Sequence, residues 1–337
     1  MSIRDYAKPF EIIDQTEAII SVPNQWGLIN DLGIFQVEGV TQHTVSVESQ
    51  NGTLALLGDT KRGARNQANK DDIRQIRTFA IPNFSVDDAV FPEDVQGKRA
   101  YGSAGPDTVD AVIARKLMRL RQNHAATLEY ARAQAICSGG VYAPNGTVAA
   151  QNAYTEFGVT RKEVDFVFGT TTTDMIAKGE EGLSYIQDNI NTGDVVNEVI
   201  ALCSPGFFAN LISHPTIKDA YKFYTSTQEP LRQRLGSGLY RRFEFGGVTY
   251  ICYRGKYAGQ DLITPNEAFM LPVGVTDMFK TFNSPANKFG QVNAIGEPVY
   301  AFTFYDPMNE KIVLQTEQNM LNMVQRPQAV VRLFSST

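Results

Sequence analysis

The sequence is poor in the residues that most often do chemistry. Three cysteines (Cys137, Cys203, Cys252), three histidines (His43, His124, His214) and one tryptophan are spread over 337 residues. The cysteines are odd in number, far apart and without a Cys-x-x-Cys pair, which excludes a disulfide framework and predicts reduced, packed thiols. No histidine has a His or Cys partner at metal-ligand spacing, and His124 falls on or beside the apolar stripe of a predicted helix, where a core histidine is expected. No stretch approaches the roughly 20 apolar residues that span a bilayer. The opening MSIRDYAKPFEIID lacks the basic-then-apolar order of a secretory signal. The expectation is a soluble protein with no membrane partner.

Local motifs fail in the same way. Gly58 and Gly63 have the spacing of a phosphate-binding loop, but Ala64-Arg65 stands where Lys and Ser or Thr are required. In CSPGF, Leu202 occupies the place of the first glycine of a nucleophile elbow, so Ser204 reads as a helix cap. Gly236-Ser237-Gly238 lacks the third glycine of a dinucleotide fingerprint. No catalytic residue, metal ligand or cofactor is expected.

What is present is a globular composition: 43% hydrophobic and 20% charged residues, with a formal net charge of -5. Any nucleic-acid contact in such an acidic chain must be local. Residues 1–43 carry scattered apolar side chains and read as an extended arm. From Thr44, TVSVESQNGTLALL alternates like a strand, and IRQIRTFAIPNF returns with Ile73, Arg77, Phe79 and Ile81 at odd positions, predicting a long hairpin. Its tip, GDTKRGARNQANK, holds four basic side chains and one acid. A two-stranded ribbon of that length is marginal alone in water, so another surface must complete it, unless the tip is simply a solvated loop.

Residues 107–138 have no Gly or Pro and repeat Val109, Val112, Ile113, Leu117, Leu120, Leu128 and Ala131 at helical spacing. Asp107 or Thr108 can cap this helix and Gly139-Gly140 can end it. Pro144-Asn145-Gly146 is a hairpin-turn signal. TTTDMIAKGEEGLSYIQDNI and SPGFFANLIS predict two further helices. Beyond residue 240, GVTYICY, EAFMLPV, PVYAFTFYD, EKIVLQTE and QAVVRLF predict strands. The fold class is α+β, with helices in the middle and strands at both ends.

Arm, basic-tipped hairpin, long helix and β-rich ending, in that order, resemble the major capsid proteins of tailed bacteriophages with the Hong Kong 97-type fold, and among them the lambda-type major capsid protein E family. VEGVTQHTVSVESQNGTLALLGDTKRGARNQANK is similar to that family's extended loop and VIARKLMRLRQNHAATLEYARAQAICSGG to its spine helix. PNEAFMLPVG with EPVYAFTFYDPMNEKIVLQTEQNMLNMVQRPQAVVRL is similar to its closing segment.

The resemblance implies an N-terminal arm (1–43), an extended loop (44–84), a peripheral domain with spine helix 107–138 (85–170), an axial domain (171–284) and return strands (285–337). It implies a subunit that assembles with itself, as pentamers and hexamers, into an icosahedral shell around double-stranded DNA. Assembly would take place in the bacterial cytoplasm and the product would be the virion capsid. The loop would lie over a neighbour's peripheral domain, with Lys61, Arg62, Arg65 and Lys70 meeting acidic groups and Leu54 and Leu56 contributing apolar contact. With no scaffolding extension expected ahead of the arm, a separate scaffolding protein is implied, with a portal, a maturation protease and room for a decoration protein.

A covalent mesh, as one member of the wider fold makes, would join Lys61 or Lys70 to Asn319 or Asn322; the lambda-type branch is not expected to form it. Two alternatives remain open at this point: an encapsulin-type compartment and a soluble enzyme with a dispersed site.

Overall fold

The computed structural model describes residues 12–14, 27–51, 73–98, 107–143, 151–190, 196–218, 240–257 and 260–336. Within the stretch expected to be an arm lie strand β1 (Ile12–Asp14), the single-turn helix α1 (Leu28–Asp31) and strand β2 (Gln36–Gly39). Next come β3 (Thr44–Asn51) and β4 (Ile73–Ala80), paired antiparallel from Thr44↔Ala80 to Asn51↔Ile73, so the predicted hairpin is present at its base. Strand β5 (Asn83–Val90) and the short helix α2 (Pro92–Val95) lead to the long helix α3 (Val109–Cys137).

Helix α3 has 29 residues, a rod of about 43 Å at about 1.5 Å per residue. Thr108 caps it by accepting from the Ala111 N–H at 3.3 Å, and Gly139, at φ +68°, takes the left-handed turn that ends it. Gly140 and Asn152 form an antiparallel bridge on either side of the predicted Pro144-Asn145-Gly146 turn, which itself lies outside the described residues. The chain continues through α4 (Ala153–Phe157), β6 (Glu163–Asp165), α5 (Met175–Asn189), β7 (Glu198–Cys203) and α6 (Pro205–Ser213). Asp174 caps α5 and Ser204 caps α6, as the sequence suggests for Ser204.

The remaining strands are β8 (Arg242–Phe245), β9 (Val248–Cys252), β10 (Lys256–Tyr257), β11 (Gln260–Asp261), β12 (Ala268–Val273), β13 (Phe279–Asn283), β14 (Tyr300–Tyr305), β15 (Ile312–Val324) and β16 (Val331–Phe334).

Two six-stranded sheets organise the molecule. The first runs β1-β14-β15-β13-β2, with β5 also paired to β15. The second runs β6-β16-β12-β7-β9-β8 and mixes parallel with antiparallel neighbours. The class is α+β, but strands are not confined to the ends, since β7 lies between α5 and α6 and pairs with β9 and β12.

Helix α3 joins the two sheets. Its N-terminal half places Val112, Ile113, Leu117 and Leu120 on Val90, Val299, Ala301 and Leu314 of the first sheet's side. Its C-terminal half places Ala133, Ala135 and Ile136 in the large apolar core built on β7, β9 and β12. Each fully buried Leu or Ile contributes about 1.5–3 kcal/mol, so both ends of the helix are held independently. Leu128 is only half-buried; the buried face drifts instead to Ala125, Glu129, Arg132 and Ile136.

Candidate functional site

Two features differ from an ordinary packed core: the hairpin base and a polar lock beside it. At the hairpin base, Val45 and Val47 of β3 and Phe79 of β4, with Ile81 just beyond, turn to one side. They pack on Phe282 of β13 and Leu321 and Met323 of β15. Phe157 of α4 closes this cluster, with its ring 6.2 Å from that of Phe79 and the Arg77 guanidinium 5.2 Å from its centre. Gln151 ties the outer strand down, accepting from the Ala80 N–H at 3.2 Å and donating to the Thr78 carbonyl at 3.1 Å. On the opposite face of the ribbon, Ile76 of β4 is 70% exposed. Lys61, Arg62, Arg65, Lys70, Leu54 and Leu56 lie outside the described residues.

The lock centres on Glu129 of α3, which is fully buried. Its carboxylate accepts from the N–H groups of Ile29 (2.8 Å) and Asn30 (2.9 Å) in α1 and from the Tyr253 hydroxyl (2.5 Å) just after β9. Burial pushes its pKa up, and those three hydrogen bonds oppose the push. Gly27 makes the approach possible: at φ +101°, it sits where an added Cβ would lie 2.2 Å from Glu129 Cδ.

One turn on, Arg132 donates to Asn30 Oδ1 at 2.6 Å and to Thr281 Oγ1 at 3.1 Å, and lies 5.1 Å from the Phe35 ring centre. Thr281 in turn donates to Asn322 Oδ1 at 2.7 Å. Burial lowers the Arg132 pKa to about 10, and the Glu129 charge opposes that fall. Arm, helix, β13, β15 and the second sheet therefore meet through one hydrogen-bonded chain.

Strand β15 continues the polar theme. Glu317 Oε1 accepts from Asn83 Nδ2 (2.6 Å), the Asn287 N–H (3.2 Å) and Asn319 Nδ2 (2.7 Å). Thr316 donates to the Val86 carbonyl at 2.7 Å and shares a 2.8 Å hydrogen bond with His124 Nε2. His124 is thus a core histidine, as the helical stripe suggests. Burial, with the Arg121 charge second, lowers its pKa to about 4.

Sequence reasoning passed over Glu129, Arg132 and Thr281, and singled out Asn322 only as a cross-link candidate. A signal for the first two exists, because they stand at the positions where the helical period of Ala125 and Ile136 calls for buried side chains.

Nothing in this arrangement is built for bond making. Burial raises the Cys137 thiol to about 12 and the Cys203 thiol well above its ordinary value, so neither is a ready thiolate. All three cysteines are free thiols; Cys203 and Cys252 are buried and Cys137 half-buried. Among the described residues no group of three His, Cys, Asp or Glu is placed to hold a metal ion, and no helix is long and apolar enough to cross a membrane. Asn319 and Asn322, considered as cross-link acceptors, are 3% and 5% exposed; Asn319 donates to the Pro285 carbonyl and Asn322 accepts from Thr281 of β13. Within the single subunit both side chains are turned into the core, away from the surface a neighbour would meet.

Comparison with known proteins gives the same answer from three directions. The family model described as phage major capsid protein E matches residues 13–335. The major capsid protein of Pseudomonas phage KPP10 is 46% identical over 337 residues, covering 96% of both chains. That of Salmonella phage Felix O1 is 29% identical, covering 96% of this chain and 95% of its own. The mature capsid of bacteriophage PhiM1 matches in fold, with a TM-score of 0.52 at 11% identity over 90% of this chain and 85% of that one. A structural family of this kind leaves no place for the dispersed-site enzyme, and the phage relatives decide against a cargo compartment. The chain belongs to the phage major capsid protein E family and is a structural protein of the virion head.

Proposed function

We propose that each subunit builds the shell by extending its β3–β4 loop over the peripheral domain of a neighbour, as a rigid body carrying one segment that only a second copy completes. The observation that carries this reading is the contrast between the two faces of the hairpin. Val45, Val47 and Phe79 are buried on one face, whereas Ile76 on the other is a large apolar side chain left exposed. A two-stranded ribbon gains little stability beyond the point where its own core ends. In this reading the tip residues Lys61, Arg62, Arg65 and Lys70 supply register and association rate, while Leu54 and Leu56 supply apolar contact.

The division of labour follows the two sheets. In this reading the first sheet, α3 and the hairpin base form the peripheral part, and the second sheet with α5 and α6 the axial part that packs around capsomer centres in pentamers and hexamers. That division moves β6 and β16 out of the expected peripheral ranges 85–170 and 285–337, and β13 out of the expected axial range 171–284. Individually weak contacts repeated around a closed shell become collectively durable. Repetition of one contact in five-fold and six-fold settings does not by itself select a single shell size. A separate scaffolding protein is therefore part of the proposal, together with a portal and a maturation protease, and a decoration protein as an optional outer partner. The enclosed cargo is double-stranded DNA, held without sequence-specific contact, and assembly takes place in the host cytoplasm.

The test is replacement of Lys61, Arg62, Arg65 and Lys70 by Glu. The subunit is expected to keep its circular dichroism and to lose shell assembly, read by sedimentation velocity and electron microscopy. Normal shells from that variant would remove the loop from the interface.

A further inference from the structure

The register of β1 aims the chain ahead of it at a cavity. Ile12 pairs with Phe304 and Asp14 with Phe302 in an antiparallel ladder, so the residues before Ile12 leave β1 alongside Tyr305 and the turn joining β14 to β15. Tyr305, Asn309, Glu310 and Lys311 all line a cavity of about 620 Å³ that opens between that turn, β5, α2 and the start of α3. Its floor is apolar: Val90 is buried, and Val95, Val109 and Ile312 are half-buried. Its rim is acidic. Asp110 and Glu310 line it and Glu93 follows the lining Pro92. These three exposed carboxylates have no ion-pair partner among the described residues. The nearby cations are already engaged, Lys98 with Asp94 at 3.6 Å and Lys116 with Asp88 at 3.1 Å and Asp94 at 3.4 Å.

We infer that this acid-rimmed groove receives residues 3–10 of the same chain, IRDYAKPF, and thereby clasps β1 to its own subunit. The β1–β14 ladder delivers the segment to the mouth of the groove. Eight extended residues at about 3.3 Å each reach about 26 Å, enough to cross it. Composition matches on both counts. Ile3, Tyr6 and Phe10 suit the apolar floor, and Arg4 and Lys8 suit the rim, with Asp5 the segment's one acid. The volume lies within the roughly 300–1,000 Å³ range of well-formed binding clefts. The clasp has a use. β1 has only three residues, and without it β14 would present an open strand edge, a template for pairing with the wrong chain. The contact lies within one chain, involves no part of the β3–β4 loop and stands apart from the loop reading above.

The experiment traps the contact in the full-length, unassembled chain. Gln96 lines the groove and is exposed, so Gln96→Cys is paired in turn with Tyr6→Cys, Ala7→Cys and Pro9→Cys under a mild diamide oxidation, with Gln96→Cys alone as the control for the native thiols. Circular dichroism establishes that each variant folds. At least one pairing is expected to close a disulfide within a single chain, identified by peptide mass and by monomer migration on a non-reducing gel. Charge is then reversed in the trapping background, by Asp110→Lys with Glu310→Lys on the rim or by Arg4→Glu with Lys8→Glu on the segment. Because Asp110 lies in the first turn of α3, Glu310→Lys alone is the control that leaves the helix start intact. Each reversal is expected to slow trapping by about threefold or more, the scale of a few exposed ion pairs, and both together to restore it.

No disulfide at any of the three positions overturns the clasp. A disulfide that forms only between chains overturns it in favour of a second copy's segment. Trapping that neither reversal slows, or that the combined reversal fails to restore, also overturns it, because the rim then plays no part in placing the segment. The loop reading has its own test in the tip residues and survives each of these outcomes.

Discussion

The two sheets solve burial differently. In the second sheet, β7, β9 and β12 are apolar along almost their whole length, with Ile200, Ala201, Leu202, Phe269, Met270 and Leu271 nearly inaccessible. Phe207 and Phe208 of α6 pack into the same core. In the first sheet, β15 buries Thr316, Glu317, Gln318, Asn319 and Asn322 in a row interrupted only by Met320 and Leu321. Several hydrogen bonds to this row come from other segments: Asn83 at the start of β5, Asn287 before β14, His124 on α3 and Thr281 on β13, while Asn319 Oδ1 and Asn322 Nδ2 are buried with no hydrogen-bond partner among the described residues.

An apolar sheet needs only bulk and shape, and tolerates sliding more readily than a polar one. In a polar sheet each existing pair resists displacement, because a buried polar group that loses its partner costs about 1–3 kcal/mol. The first sheet therefore fixes where the arm, the helix and the loop base sit relative to one another. That is what a shell subunit requires of the part that positions its contacts.

Three changes break or sharpen this contrast. The largest effect is expected from Glu129→Leu, which keeps most of the volume but leaves the Ile29 and Asn30 N–H groups, the Tyr253 hydroxyl and Arg132 without their acceptor or counter-charge. The cost is about 3–5 kcal/mol, measured as a shift of the urea midpoint of the unassembled subunit. A shift within about 0.5 kcal/mol, the range of ordinary surface substitutions, would mean that the lock contributes nothing to stability.

Next comes a pH effect through His124. Its pKa is about 4 in the folded chain against an ordinary 6.5. Between those values the unfolded chain binds a proton that the folded chain refuses. The contribution to stability is fully present above pH 6.5 and is lost as pH falls toward 4. The loss is of order 2–3 kcal/mol, and His124→Gln should flatten that part of the stability profile relative to the unmodified chain. Parallel profiles for the two proteins would contradict the assignment.

The smallest effect is expected in the apolar sheet. Met270→Leu conserves volume in a site without polar obligations and should cost less than about 1.5 kcal/mol in the same urea titration. A loss as large as that from Glu129→Leu would erase the distinction between the sheets.

The same contrast explains how much could be read from sequence. Helix α3, the caps at Thr108 and Ser204, the hairpin of β3 and β4, and strands β9, β12, β14 and β16 follow from period and composition, because burial there is apolar. Strand β15 was legible only in its first half. The sequence pattern of EKIVLQTE ends at Glu317, whereas the strand runs on through QNMLNMV to Val324. Polar residues look like a loop until their partners, far away in the chain, are known. Strand β13 was hidden for the same reason, with Thr281 and Asn283 inside the core. Glu129 reads as a solvated helical glutamate unless its place in the helical period is weighed. The family resemblance was legible from the order of elements, while the partners of the Glu129 lock were not, because α1, α3, β13 and Tyr253 meet only in three dimensions.

Electron cryomicroscopy of shells formed by the unmodified chain tests the central claim most directly. The account predicts that residues 54–70 lie on a different copy from the one that carries their base strands β3 and β4. Density showing the loop folded back on its own subunit in every shell position would contradict it.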